Sequence, residues 1–304
     1  MSAARPSGQR AAALVLGASA AWVLVEVVAG PVLSRYSPYQ VVWSRYAVHL
    51  LVVLAWTGRS APWRTRRPGL QFLGSLSMLA MPHYFVVGSR SIPAQNVWAF
   101  FWISPLLALA ISWIVLRERA TRFTWLVAAA CFPASLLIFG DLPVPPASGL
   151  LAPLAMALSF AAYVVLLRML REESMASKLF YTAAGVFLAL SPAMPALFRF
   201  PDLGAGVAMV CIALLGLVVL GLFDRALETA SVPTVAPFIY GVPLFHVVVV
   251  AMLGVVPGRR WTLATVILVG ALLVAYRREG RADPAKDPIA TSPLSDATGP
   301  RAEG

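Results

Sequence analysis

Four ionisable side chains stand out because they lie inside long apolar runs of the sequence: Glu26, Arg45, His49 and His83. Charged groups are unfavourable within a bilayer, so they face the protein interior or a water-filled cavity, where they bind ions or relay protons. Carboxylates and imidazoles take up protons, whereas a guanidinium binds anions. The four residues therefore predict a gate or a protonatable, anion-recognising site, with a purely structural cluster as the alternative.

These four residues come at similar depths if each apolar run forms one helix across the bilayer. At about 1.5 Å per residue, Glu26 lies roughly 6 Å, His83 roughly 8 Å and Arg45 roughly 10 Å from the same membrane face. His49 follows Arg45 by four residues, on the same side of its helix. The simplest arrangement is an ion pair between Glu26 and Arg45, with both histidines nearby.

A second set of candidates consists of aromatic and amide side chains, several of them near the ends of predicted helices. Trp98 and Trp102 are one helical turn apart and share a face. Aromatic walls with a few polar groups are typical of a cavity for an organic solute, although an interfacial belt also collects Trp near helix ends. We expect a substrate cavity to be lined by the four residues above together with Trp22, Asn96, Trp98, Phe101, Trp102, Tyr163, Phe238 and Tyr240.

The composition indicates that a membrane surrounds these positions. Of the 304 residues, 60% are hydrophobic and only 12% are charged, whereas soluble domains have about 25% charged residues. The net charge is +11, but the basic residues form short clusters between apolar runs rather than one basic stripe. That pattern argues against nucleic-acid binding and is typical of a membrane protein. The sequence predicts an all-α integral membrane protein.

Ten apolar runs are long enough for a hydrocarbon core, which takes about 20 residues to cross. The first run is too long for a cleaved signal peptide and is interpreted as a helix. Residues 1–10 are expected to be a cytoplasmic N-terminus, and residues 279–304 a disordered cytoplasmic tail. The ten predicted transmembrane helices are 11–30, 38–57, 69–88, 94–116, 123–140, 148–167, 178–198, 204–223, 231–254 and 261–277.

The distribution of basic residues predicts the orientation of these helices. Of the 24 Lys and Arg residues, one lies within a helix, and only Arg35, Arg90, Arg199, Arg259 and Arg260 fall on the side opposite the N-terminus. Cytoplasmic loops carry an excess of Lys and Arg. The asymmetry therefore predicts an even number of crossings with both termini in the cytoplasm.

Short sequence matches predict that the chain contains two repeats. The motif at 91–94, SIPA, returns as SVPT at 231–234, and AAW at 20–22 returns as AAY at 161–163. With five helices in each half, an odd number, the second half enters the membrane from the opposite side. We therefore expect two inverted five-helix repeats, 11–140 and 148–278, which is a recurring plan of secondary transporters.

Further polar residues are expected to serve structure. Glu118 is predicted to pair with Arg117, Arg119 or Arg122 at the cytoplasmic end of the fourth helix, and His246 is predicted to be a lone polar group in the ninth.

A local charge network is expected from Asp224, Arg225 and Glu228 at the turn between the eighth and ninth helices. Cys131 and Cys211 each lie in an apolar run and are interpreted as small hydrophobes. The sequence contains neither a metal-ligand cluster nor a nucleotide-binding motif, so no metal site and no cofactor are expected.

Two motifs resemble the drug/metabolite transporter superfamily, EamA-type branch. The second predicted helix opens with a proline and an arginine, Pro38 and Arg45, in the stretch RYSPYQVVWSRY, as in that family. The motif SIPA, a later Pro-Leu pair and the turn LRER at 116–119 resemble its fourth helix, with Arg117 where glycine is usual. The second half keeps a Pro-Leu pair at 243–244 but has VPG at 256–258, where a second Glu would be expected.

This resemblance covers roughly residues 11–278 and implies ten helices, cytoplasmic termini and a central cavity for metabolites or drugs. The function expected is a secondary transporter, not an enzyme, that moves a metabolite, amino acid or drug-like solute across a bacterial-type inner membrane. Alternating access driven by protons or exchange is expected, and the resemblance favours export. A membrane-embedded enzyme acting on a lipid or small substrate, and a receptor without flux, are the alternatives. The expected partners are the solute and the lipid bilayer, with a homodimer left open.

Overall fold

The computed structural model describes residues 7–58, 61–140 and 146–281. Most of the predicted N-terminus and tail, residues 1–6 and 282–304, lies outside the described residues. Within those ranges the chain forms helices and no strand. The helices are α1 (Ser7–Leu33), α2 (Pro38–Thr57), α3 (Pro68–Gly88), α4 (Ala94–Val115), α5 (Arg122–Phe139), α6 (Ala147–Met169), α7 (Met175–Leu197), α8 (Leu203–Thr229), α9 (Val232–Met252) and α10 (Arg259–Glu279).

Nine of these helices in the described ranges are long and apolar enough to cross a membrane. Helix α2 is the exception, because its 20 residues include Gln40, Arg45 and His49. Gln40 and His49 are buried against the other helices. Length and composition therefore confirm the multi-span prediction for nine helices, and α2 stays a predicted span that directs polar groups into the bundle.

Prolines interrupt α4 and α9 in their first halves. The second segment of α4 begins at Ser104 with Pro105 in its first turn, and α9 passes through a 3-10 turn, Ala236–Tyr240, that contains Pro237. Proline lacks a backbone donor and clashes with the preceding turn, which accounts for both breaks. Irregular backbone at membrane depth is tolerated where protein buries it, and the side chains of Trp102 and Tyr240 at the breaks are fully buried.

The main helix contacts join the first five helices to the last five. Helix α1 packs on α8, and α3 packs on α6; α2 packs on α7, and α5 on α10. Helix α4 also contacts α6, and α9 contacts α1. Each helix from the first half thus has a principal neighbour in the second, so the interior of the bundle lies between the halves.

The two ends of the bundle differ in charge. The end at which α1 begins, called the basic end below, carries Arg64, Arg67, Arg119 and Arg171 beside the helix termini. The other end, called the far end, carries the loops after α1, α3 and α7.

Arg117 forms a tight turn at the basic end of α4. Its φ is 56°, in the left-handed region, where an L-residue with a side chain is disfavoured by about 1–2 kcal/mol. The turn lets the Glu118 N–H donate to the carbonyl of Ser112 at 3.3 Å. Arg117 therefore has positive φ, which glycine adopts without strain, at the position where the resembling family has glycine.

Replacing Arg117 by glycine should stabilise the protein, because glycine adopts positive φ without the steric penalty. We expect Arg117→Gly to raise the free energy of unfolding by about 1 kcal/mol. Thermal unfolding of the purified protein measures the change, with Arg119→Gly as a matched control of equal charge loss. A variant less stable than this control would contradict the prediction.

Candidate substrate cavity

A cavity of about 480 Å³ occupies the half of the bundle nearest the far end. Its volume lies within the range of small-molecule sites, about 300–1,000 Å³. Leu33, the last residue of α1, and Pro38, the first residue of α2, line it, so the cavity extends to the far end. Its lining residues are Trp22, Val25, Glu26, Ala29, Gly30, Leu33, Pro38, Val41, Val42, Arg45, Tyr46, Met78, Met81, Pro82, Phe85, Gln95, Trp98, Phe139, Met156, Ile212 and His246.

A smaller pocket of about 60 Å³ continues from the cavity toward the basic end. The two share a belt of five residues: Trp22, Val25, Arg45, Met78 and Met81. Beyond that belt the walls are apolar apart from Tyr163, and they come from α6 and α8. The path therefore narrows at Arg45 and becomes more hydrophobic with depth.

Glu26 binds across the bundle to the second half of the chain. Its Oε1 accepts a hydrogen bond from Trp22 Nε1 at 3.0 Å, and its Oε2 lies 3.4 Å from Nδ1 of His246 on α9. The His246 ring packs on Phe139, with 4.7 Å between ring centroids. The predicted Glu26–Arg45 ion pair is therefore wrong, and so is the prediction that His246 is alone. Depth along each helix was similar, but the rotation of α1 turns Glu26 toward α9.

Arg45 has no acidic partner among the described residues. Its guanidinium carbon lies 5.5 Å from the centre of the Tyr46 ring, and its buried Nε has no hydrogen-bond partner. A Cβ at Gly216 on α8 would come within 2.6 Å of that Nε. The guanidinium thus rests against bare backbone at the point where the cavity meets the deeper pocket.

The other two histidines of the predicted cluster lie away from the cavity wall. His49 is 1% exposed, and its Nε2 lies 2.8 Å from the carbonyl oxygen of Ala213 on α8. His83 Nδ1 lies 3.1 Å from the hydroxyl of Tyr39. Both side chains therefore hold helices together, and neither meets Glu26 or Arg45 in the cavity lining.

Some of the predicted aromatic residues line the cavity or the deeper pocket, and others pack behind the lining. Trp98 lines the cavity and Tyr163 lines the deeper pocket. Phe101 and Trp102 lie behind this wall, in a cluster of rings with centroids 5.0 Å apart. Of the predicted lining residues, five therefore reach the cavity or pocket: Trp22, Glu26, Arg45, Trp98 and Tyr163.

The remaining predicted positions are buried elsewhere. Asn96 is 3% exposed and Tyr240 is fully buried, and neither reaches the cavity. Phe238 lines a separate pocket at the basic end, beside Thr121 and Arg278. Whether a residue lines the cavity or packs behind it depends on its position around the helix axis. Residue type and closeness to a helix end do not determine that position. Contact of any of these residues with substrate stays a prediction.

Sequence reasoning missed His246, Tyr46, Met78, Met81 and Phe139 as lining residues. For His246 a signal existed, because a polar group at membrane depth requires a partner or a wet cavity. For the apolar residues no signal existed, since methionine and phenylalanine face lipid as readily as a pocket. In the described part of the chain, no three His, Cys, Asp or Glu side chains are placed to hold a metal ion.

Ion pairs close the basic end of the bundle. Arg168, which is 2% exposed, donates to Oε1 of Glu118 at 2.9 Å and to the carbonyl of Leu227 at 2.8 Å. The other Glu118 oxygen accepts from the Val232 N–H at 2.8 Å. The predicted pairing of Glu118 with a neighbouring arginine on its own turn is therefore wrong, because that turn points Glu118 across to α6 and α9.

A second group of charges lies beside the first. The Lys178 ammonium is 2.6 Å from Asp224 and 3.1 Å from Glu228, and both Lys178 and Asp224 are 2% exposed. Arg225 also reaches Glu228, at 3.0 Å. The predicted local network is confirmed for Arg225 and Glu228, whereas Asp224 pairs with α7. Glu118, Arg168, Lys178, Asp224 and Glu228 are called the basic-end seal below.

At the far end an exposed ion pair joins Arg35 to Asp202, between the loop regions of α1 and α8. Asp202 caps α8 by accepting from the Ala205 N–H at 2.8 Å. This bond and the Arg35 guanidinium hold the pKa of Asp202 below its usual value, and the pair raises the pKa of Arg35. Exposed pairs contribute little to stability, so this pair holds the far end only weakly, in contrast to the buried pairs of the basic end.

Comparison with known proteins supports this architecture. Residues 9–140 match the model of the EamA-like transporter family, which confirms the resemblance recognised in the second and fourth helices. The crystal structure of another protein is similar with a TM-score of 0.77 and 15% identity, over 91% of this chain and 99% of that one. At such identity the likeness shows the fold alone. No curated protein matches the sequence.

Proposed function

We propose that this chain, whose residues 9–140 match the model of the EamA-like transporter family, is a secondary transporter for a small organic solute. The observation that carries this proposal is a cavity built by both halves of the chain. It opens at the far end, while buried ion pairs close the basic end. A cavity reached from one side at a time is what alternating access requires.

The two halves, 11–140 and 148–278, are proposed to be inverted repeats. The helix contacts support this, because the pattern of contacts stays the same when α1 to α5 are exchanged with α6 to α10 in order. The α1–α8 contact becomes the α6–α3 contact, and the α4–α6 contact becomes α9–α1. The proline breaks in α4 and α9 also exchange. Rocking of one half against the other would then move the cavity opening from one end to the other.

The basic end is proposed to face the cytoplasm, because cytoplasmic segments carry an excess of Lys and Arg. The membrane is then the cytoplasmic membrane of a bacterial-type cell, with both chain termini inside. In this orientation the cavity faces outward, and the basic-end seal is the closed inner gate. The inward-facing state requires separation of Lys178 from Asp224 and of Arg168 from Glu118.

Glu26 and His246 are proposed to carry the coupling proton. Carboxylate and histidine side chains within membrane helices serve as proton relays in pumps and transporters. This pair joins α1 of the first half to α9 of the second, so a change in its protonation alters a contact between the halves. Arg45 and Tyr46 line the same cavity. Export would follow if an outside proton enters at Glu26 as solute leaves.

Efflux from proteoliposomes tests this function directly. The full-length protein is reconstituted, vesicles are loaded with a panel of labelled amino acids, carboxylic acids and amines, and the outside is acidified. At least one solute should leave faster than from protein-free vesicles, and a protonophore should slow it. Equal leakage with and without protein, for every solute and in both directions of the gradient, would contradict the proposal.

A further inference from the structure

We infer that Arg45, set against the bare backbone at Gly216, binds the oxyanion of an amphipathic organic acid whose apolar body enters the deeper pocket. The transport of this solute rests on the function proposed above, but its binding does not. The substrates are then organic acids with a carboxylate or phosphate beside a hydrophobic group.

The charge of Arg45 is not neutralised within the described residues. No carboxylate among the described residues lies within ion-pair distance of its guanidinium, and its buried Nε has no hydrogen-bond partner. Buried polar groups are rarely left without partners, and an exception requires an explanation. Arg45 therefore carries a positive charge that no described side chain neutralises, and a planar guanidinium matches carboxylate and phosphate geometry.

Glu26, the acidic residue of the cavity lining, does not neutralise Arg45. Glu26 is engaged on both oxygens, by Trp22 at 3.0 Å and by His246 at 3.4 Å. Tyr46 contributes a ring face to Arg45 rather than an anion. Of the charged groups in the lining, Arg45 is thus the one without a counter-charge within the described residues. An anionic solute supplies the missing charge, whereas a cationic solute would add to it.

Gly216 explains how the guanidinium reaches this place. A Cβ there would lie 2.6 Å from Nε, 2.8 Å from Cζ and 2.8 Å from Nη2 of Arg45. These separations are far below van der Waals contact, so only glycine allows the guanidinium to rest against α8. An alanine would displace the guanidinium, because the end of an arginine side chain moves more readily than a helix backbone.

The surroundings of Arg45 determine what accompanies the anion. Met78, Met81 and Trp22 surround it in both the cavity and the deeper pocket, and Phe160 and Val219 line the pocket beyond. Methionine side chains adapt to ligands of different shape. A solute with its oxyanion on Arg45 would place an adjacent ring or short alkyl chain on this apolar floor.

Matched ligands on the purified full-length protein test the inference without transport. The probes are 3-phenylpropionate, its neutral amide 3-phenylpropionamide, the cation 3-phenylpropylamine, and phenyl phosphate. Affinities are measured by isothermal titration in detergent. Since a charged hydrogen bond contributes about 1.5–3 kcal/mol, the carboxylate should bind about tenfold or more tightly than the amide. Comparing phenyl phosphate with the carboxylate distinguishes the two oxyanions.

Two substitutions of α8 provide the control. Gly216→Ala and Gly221→Ala give the helix the same gain in propensity, but at Gly221 a Cβ meets only Met175, at 3.8 Å. We expect Gly216→Ala to lose most of the preference for the carboxylate and Gly221→Ala to keep it. Arg45→Gln should bind carboxylate and amide equally.

Three results would overturn the inference: a wild-type protein that binds the amide or the amine as tightly as the acid, one that binds no probe at 10 mM, or a preference that survives Gly216→Ala. Each is independent of the efflux assay. Proton-driven flux without an acid preference would reject the substrate class alone, and an acid preference without any flux would reject the transport function alone.

Discussion

Glu26→Gln should abolish proton-driven flux and leave the protein folded. The amide has the same shape as the carboxyl group and still accepts a hydrogen bond from Trp22, so the packing of α1 is kept. It does not take up a proton, so the contact with His246 on α9 no longer responds to a pH gradient. We expect efflux driven by outside acid to fall to the level of protein-free vesicles, while solute exchange without a gradient persists.

The control for this prediction is Glu172→Gln, because Glu172 is 73% exposed at the basic end and lines neither the cavity nor the deeper pocket. Both variants lose one carboxylate, but only the change at Glu26 should affect coupling. Glu26→Gln protein that retains wild-type flux and wild-type proton dependence would show that the carboxylate is structural.

Lys178→Ala should cause the largest loss of stability, about 3–5 kcal/mol. The substitution leaves Asp224, which is 2% exposed, without its cation at 2.6 Å. Unfolding of the purified protein in denaturant measures this change. The double variant Lys178→Met with Asp224→Leu should recover most of the stability, because apolar residues of similar size replace a buried ion pair at little cost. Glu228 keeps Arg225 as its partner in the double variant.

This double variant also separates the stability of the basic-end seal from its role as a gate. If the basic-end seal is the inner gate, its ion pairs stabilise the outward-facing state. Removing the charges then removes that stabilisation. The folded double variant should therefore spend more time open at the basic end and lose coupling between proton and solute. A double variant that is as unstable as Lys178→Ala, or that couples like wild type, would contradict this account.

Hydropathy and charge predicted the helices well because the bilayer imposes length and composition on every span. Nine helices meet those conditions, and α2 departs from them through Gln40, Arg45 and His49. These residues are polar because α2 faces the interior. The departure of α2 from ordinary hydropathy was itself a sign of the site, and the family pattern located the same helix.

The sequence predicted Glu26 and Arg45 as residues of the candidate site, but it did not predict which residues they contact. Depth along a helix follows from the sequence at a fixed rise per residue, so Glu26 and Arg45 were placed in the same part of the bundle. Rotation of each helix about its axis depends on the packing of all its neighbours. It directs Glu26 to His246 and leaves Arg45 facing Gly216. For the same reason Glu118 was assigned to its own turn rather than to Arg168.

The central claim is that one cavity is reached alternately from the two sides of the membrane. The most direct test places a single cysteine at Met81, which lines both the cavity and the deeper pocket, after Cys131 and Cys211 are replaced by alanine. A membrane-impermeant maleimide is then added to one side in intact cells and to the other side in inverted vesicles. We expect modification from both sides, with the ratio of the two rates changed by a pH gradient. Modification from one side only, under every gradient tested, would contradict it.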